Sequence, residues 1–150
     1  MFNNLSDLYQ ELIIDHNSQP RNFGVINDAS HKAHGVNPIC GDDVYVFLEI
    51  RYNSIKNISF TGNSCAICKA SASIMTDKVK GKKIKDVEFI IQLFHALIVQ
   101  KDITALKVDS LGKLLAFSGI RNFPMRVKCA TLAWHTLCSA MKGINFIKLK

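Results

Sequence analysis

The apolar positions of this chain switch between helical and strand spacing in a definite order. Leu5, Leu8, Tyr9, Leu12 and Ile13 recur one helical turn apart, which predicts a helix over 5–16 with Ser6 or Asp7 capping its start. Asn17 to Gly24 carries Pro20 and Gly24 and reads as loop. His31 to Val36 predicts a short strand leading into the turn Asn37-Pro38-Ile39-Cys40-Gly41-Asp42. From Val44 to Tyr52 the period becomes two: Val44, Val46, Leu48 and Ile50 face one way, and Tyr45, Phe47, Glu49 and Arg51 the other. Asn53-Ser54 then predicts a hairpin turn into a strand over 55–61, where Ile58 and Phe60 share a face.

Beyond Gly62-Asn63-Ser64 the helical period returns. Cys65, Cys68, Ala72, Met75 and Val79 form one stripe, beside Ile67, Ala70 and Ile74. The small residues Ala66, Ala70, Ser71, Ala72 and Ser73 predict close approach of this helix to the sheet. Lysines 78, 80, 82, 83 and 85 surround Gly81 and read as a solvated helix end and turn. A further helix opens at Asp86 and runs through Val87, Ile90, Ile91, Phe94, Leu97 and Ile98. Residues 101–109 have no clear period, and 111–117 read as helix. Pro124 suits the first turn of a last long helix, whose face is Val127, Ala130, Thr131, Trp134, Leu137 and Met141, ending near Gly143. The expected fold is α+β: a three-stranded antiparallel sheet with helices packed mainly on one face.

With 150 residues, no repeat and no linker, the chain reads as a single domain over 1–150. It is 48% hydrophobic and 21% charged, which excludes wholesale disorder. The net charge of +7 permits an anionic partner, either nucleic acid or an acidic protein surface. The lysines lack interleaved aromatics, which argues against nucleic acid. The start lacks the charged-then-apolar pattern of a signal peptide, and the most apolar window, 89–99, is too short to span a bilayer. A cytoplasmic location follows as the expectation. The five cysteines would there be reduced, which turns attention from disulfides to metal or sulfur chemistry.

Cys40 and Asp42 offer one soft and one hard ligand on a single turn, which Gly41 allows to curl. Cys65 is expected at a helix N-terminus, and Cys129 in the second turn of the last helix beside Lys128, Arg126 and Arg121. Each setting is expected to lower the thiol's proton affinity. If the three cysteines converge with Asp42, the set is three sulfurs and one carboxylate, which suits zinc and also ferrous iron. Two other classes compete: a purely structural zinc-binding module, which would be expected to use local Cys-x-x-Cys pairs, and a basic nucleic-acid-binding module.

Asn37-Pro38-Ile39-Cys40-Gly41-Asp42, Phe60-Thr61-Gly62-Asn63-Ser64-Cys65 with Ala70-Ser71-Ala72-Ser73, and Phe123-Pro124-Met125-Arg126-Val127-Lys128-Cys129 resemble the signature segments of the U-type iron–sulfur cluster assembly proteins. That family comprises IscU, SufU and the N-terminal domain of NifU. Leu8 to Ile13, Asp15-His16 and Pro20 to Gly24 resemble its opening. Lys128, where IscU-type chains carry a histidine ligand, and the long segment 101–122 place the resemblance nearest SufU. The resemblance implies a SufE/NifU-like fold, and zinc held by Cys40, Asp42, Cys65 and Cys129, with Cys40, Cys65 and Cys129 also able to hold a transient iron–sulfur cluster. It implies persulfide sulfur received on Cys40 from a SufS-like cysteine desulfurase. The protein would then serve as scaffold or as zinc-dependent sulfurtransferase, with iron–sulfur carriers or apo-proteins downstream.

Two positions depart from the pattern: Ser64 replaces a usual glycine, and Cys68 a usual serine. Cys65-Ala66-Ile67-Cys68 mimics a redox motif, but no thioredoxin-like βαβ unit surrounds it, so Cys68 is expected to pack against the sheet or to stand by as a spare thiol. Cys138 is expected in the core. His16 is expected to fix its loop by hydrogen bonding, and His31, His34, His95 and His135 have no partner that the sequence identifies.

Overall fold

The computed structural model describes residues 5–100 and 107–150. Strands β1 (His31–Asn37), β2 (Asp42–Arg51) and β3 (Ser54–Asn63) form an antiparallel meander as expected. Only Tyr52 and Asn53 link β2 to β3, and both have positive φ, 52° and 58°. Such a two-residue turn has the twist that the flanking strands require. The turn therefore sits one residue earlier than Asn53-Ser54. The alternation holds: Val44, Val46 and Leu48 are buried with Ile58 and Phe60, whereas Tyr45 lies on the open face. Phe47 also belongs to that open face, yet it is buried beside the loop residues Val25 to Ser30.

The sheet has four strands rather than three, in the order β3-β2-β1-β4. β4 (Phe146–Lys148) pairs in parallel with β1, and flanking bonds run from His34 N–H to Asn145 O and from Leu149 N–H to Val36 O. Three residues are too few for an alternating pattern to emerge, so the sequence carried no strand signal there.

The helices are α1 (Leu5–Ser18), α2 (Ala66–Val79), α3 (Ile84–Val99) and α4 (Pro124–Met141). α4 lies on β1 and β2 and also meets α2 and α3, so it is buried on nearly every side instead of along a single face. Its close seat on the sheet depends on Gly35. A Cβ there would stand 2.0 Å from Thr136 Oγ1 and 3.3 Å from Ile147 Cγ2.

α2 uses its small residues mainly against α1 and α4, and less against the sheet. Ala70, Ser71, Ala72 and Ser73 are all fully buried. Ser71 Oγ donates to Ala130 O at 2.6 Å and accepts from Trp134 Nε1–H at 3.1 Å. Ser73 Oγ accepts the Arg21 backbone N–H at 2.8 Å and lies 2.7 Å from His16 Nδ1. His16 thus ties α1 and its loop to α2, as the sequence led us to expect, and Asp15 holds the Arg21 guanidinium at 2.7 Å. The expected stripe on α2 holds at Cys68, Ala72, Met75 and Val79, all buried.

α3 begins two residues before Asp86, at Ile84. Leu111 to Phe117 fall within a 3₁₀ segment, Val108–Ile120, interrupted at Gly112. The expected α-helix is replaced there because Gly112 adopts φ 56° and ψ −121°, which no α-helix accommodates. Most of the region without clear period lies outside the described residues. Among the described residues, no helix is long and apolar enough to cross a membrane.

Two outcomes follow from this packing. Gly35→Ala should destabilise the protein by about 1–3 kcal/mol in urea unfolding, and Thr136→Ala should recover part of that loss, since the two side chains compete for one space. Burial lowers the proton affinity of His16, and the positive charges of Arg21 and Lys113 add to the effect. Its neutral form belongs to the folded state, so its contribution is complete above the unfolded value of about 6.5 and lost as pH falls below it. The urea midpoint should drop between pH 7.5 and pH 5.5, taken as roughly bracketing that value. His16→Gln should flatten the drop.

Candidate metal centre

The turn between β1 and β2 is closed by the Gly41 N–H donating to Asn37 O at 2.9 Å. Gly41 has φ 74°, the left-handed conformation anticipated for it. The turn carries Cys40 outward into solvent and ends at Asp42, the first residue of β2, which is only 4% exposed. Cys65 is the N-cap of α2, exposed, with its sulfur accepting the Cys68 N–H at 3.4 Å. Cys129 is buried in the second turn of α4.

The structure brings these residues of three distant segments together. Cys40 Sγ lies 3.8 Å from Cys129 Sγ and 3.2 Å from Asp42 Oδ2. The ligand atoms of Cys40, Asp42 and Cys129 lie within 4.8 Å of one another, the one such group found among the described residues. Cys65 Sγ is 3.5 Å from the same Oδ2 but falls outside the 4.8 Å group, so the fourth expected ligand stands beside the cluster and not within it. The other carboxylate oxygen, Oδ1, accepts the Cys65 backbone N–H at 2.8 Å, which turns Oδ2 toward the sulfurs.

The Cys40, Asp42 and Cys129 spacings fit three corners of a tetrahedral dication site, with Cys65 beside the fourth. With Zn–S bonds near 2.3 Å and Zn–O near 2.0 Å, sulfur–sulfur edges come to about 3.8 Å and sulfur–oxygen edges to about 3.5 Å. The sulfurs are much too far apart for a disulfide, whose S–S bond is about 2.0 Å. The three-sulfur, one-carboxylate donor set suits zinc or ferrous iron.

The expected lowering of thiol proton affinity is not found at Cys40 or Cys129. Burial pushes Cys129 well up, and hydrogen bonds with Cys65, Asp42 and Cys40 and the charge of Cys65 push the same way. Cys40 is raised by desolvation and by its bond to Asp42. The neighbouring basic side chains have partners of their own. Lys128 Nζ donates to Lys150 O at 2.7 Å, Arg126 lies over the exposed Phe123 ring at 5.2 Å, and Arg121 donates to Ser118 O at 3.3 Å. Only a bound cation would stabilise several thiolates packed so closely.

Cys68 is fully buried, raised by that burial, and part of the core, as one of the two expectations had it. Ser64 is not among the residues with positive φ, so the serine meets no backbone penalty. Cys138 is half-buried in a groove between α3 and α4, near Trp134. His95 and His135 face each other in that groove with ring centroids 6.2 Å apart, and His34 stacks on Tyr45 at 4.0 Å; neither partner was readable from the sequence. Asn37 was quoted only as part of a motif. The structure shows its Nδ2–H donating to Cys40 Sγ at 2.9 Å.

The comparisons with known proteins identify the family. Residues 8–140 match the model of the NifU-like N-terminal domain. Over 134 residues, 89% of each chain, the protein is 38% identical to the zinc-dependent sulfurtransferase SufU of Bacillus subtilis. It is 34% identical to the iron–sulfur cluster assembly scaffold protein IscU of Streptococcus pyogenes, covering 92% of this chain and 85% of that one. Among solved structures, a putative iron–sulfur cluster assembly scaffold protein for the SUF system from Fervidobacterium islandicum superposes with a TM-score of 0.82 at 29% identity, over 92% of this chain and 99% of that one. With sequence, fold and family model in accord, the chain belongs to the NifU-like N-terminal domain family of SufU- and IscU-type iron–sulfur cluster assembly proteins.

Proposed function

We propose that this protein accepts persulfide sulfur on Cys40 from a SufS-like cysteine desulfurase, at a metal site formed by Cys40, Asp42, Cys65 and Cys129. The observation that carries the reading is the convergence of Cys40, Asp42 and Cys129 from separate segments within 4.8 Å, with Cys65 Sγ 3.5 Å from Asp42 Oδ2. Zinc is the resident ion that this donor set favours, and a nascent iron–sulfur cluster on the same sulfurs would be cargo. A bound dication would keep the thiols ionised at neutral pH.

Cys40 suits the acceptor role because it stands exposed on a short turn that can swing without unwinding a helix. Cys129 is held within α4, and Cys65 is tied through its backbone N–H to Asp42. In the transfer, the Cys40 thiolate attacks the outer sulfur of the desulfurase persulfide. A Cys40–sulfur bond forms, the desulfurase's sulfur–sulfur bond breaks, and its thiolate leaves, with no net change in electrons. A purely structural zinc module accounts less well for a site whose Cys40 and Cys65 both face solvent.

Mass spectrometry after incubation with desulfurase and cysteine should place the added sulfur on Cys40. Cys40→Ala should abolish acceptance and retain weakened metal binding through the other ligands. Persulfide found mainly on Cys68 or Cys129, with Cys40→Ala fully active, would refute the assignment. The charge of +7 supports docking on an acidic desulfurase face, with exposed Arg126 at the start of α4 contributing. Raised salt and Arg126→Glu should each slow stimulation of the desulfurase; insensitivity to both would count against this surface.

A further inference from the structure

Cys40 Sγ lies between two side chains from the last residue pair of the β1–β2 ladder, Asn37 and Asp42. Asp42 is already accounted for as a ligand. Asn37 has no role in that reading, yet its Nδ2–H donates to Cys40 Sγ at 2.9 Å. It is 1% exposed, and its Oδ1 has no hydrogen-bond partner among the described residues. A buried amide with one end unpaired costs folding free energy, so stability alone would favour an apolar residue of similar size. The amide's one side-chain bond goes to the sulfur. The sulfur accepts the Asn37 N–H while it donates to Asp42 Oδ2, and the same N–H would suit the thiolate that a bound metal would hold.

We propose that Asn37 is a positioning residue for Cys40. This deepens the reading of Cys40 as ligand and sulfur acceptor, and rests on it. The amide N–H holds the sulfur at the mouth of the site and draws charge from the thiolate, which sets how tightly the sulfur binds a metal and how readily it lets go. The same residue closes the turn through its backbone oxygen, so the sulfur and the turn's conformation are fixed from one point.

The test uses the full chain loaded with cobalt(II). Asn37→Leu keeps similar bulk and removes the donor. Its sulfur-to-cobalt charge-transfer bands should move to lower energy, because the lone pairs lose a stabilising proton. Its zinc affinity, measured by chelator competition, should fall by about 10–100-fold. The urea midpoint of the metal-free variant should equal or exceed that of the unaltered protein. A folded variant with unchanged bands and unchanged affinity would overturn the proposal. Should the variant not fold, the unaltered protein can be loaded with a spin-active cadmium isotope. A scalar coupling from the Asn37 side-chain amide proton to cadmium through Cys40 is then expected, and its absence while couplings to cysteine protons are present would overturn the proposal. Neither readout needs a desulfurase, so a chain that binds cobalt but accepts no sulfur sinks only the transfer reading. A chain that binds no cobalt sinks the shared ligand reading, and the positioning role with it.

Discussion

A carboxylate that is only 4% exposed must find donors inside the protein, and Asp42 finds them 23 residues further on. One oxygen takes the Cys65 N–H at the start of α2, and the other faces the sulfurs of Cys40 and Cys65. This pins the start of β2 to the start of α2. Cys129 reaches the same point from α4, whose position on the sheet depends on the missing Cβ of Gly35. The centre therefore exists only in the folded chain, because its members come from segments that share no local geometry.

The support and the working parts differ in stiffness. Below the site, the serines of α2 bind α4 and the α1 loop through buried hydroxyls, and Trp134 and His16 complete those bonds. Small residues permit the close approach, and the hydroxyls compensate for the polar groups that it buries. Above this clasp stands the Cys40 turn, exposed and closed by a single backbone bond. Asp42, Cys65 and Cys129 stand on or beside regular elements, whereas Cys40 stands on a short turn with little backbone structure to disrupt.

Much of this was legible in the sequence. Period-two alternation at Val44, Val46 and Leu48 located β2 and its buried face, and the helical stripe through Cys68, Ala72, Met75 and Val79 located α2. The motif residues singled out Cys40, Asp42, Cys65 and Cys129, of which the fold gathers Cys40, Asp42 and Cys129 within 4.8 Å. What escaped were features set by tertiary contacts. β4 is three residues long and exists through its pairing with β1. Arg121, Arg126 and Lys128 are close to Cys129 in sequence, yet side-chain direction takes Lys128 to the chain's end and Arg126 to Phe123. Asn37 was hidden for a related reason: motif position says nothing about which end of an amide meets a sulfur.

The short strand β4 also has a bearing on how the protein behaves in a crowded solution. It lies along the outer edge of β1 and occupies donors and acceptors that would otherwise face solvent in an open row. Clipping the chain before Phe146 would leave that row bare beside the exposed ring of Tyr45. Two clipped copies could then join edge to edge into a continuous sheet, with a Cys40 turn at the end of each joined strand. A proteolytic nick near the C-terminus would in this way convert a covered stretch of sheet edge into a self-templating one.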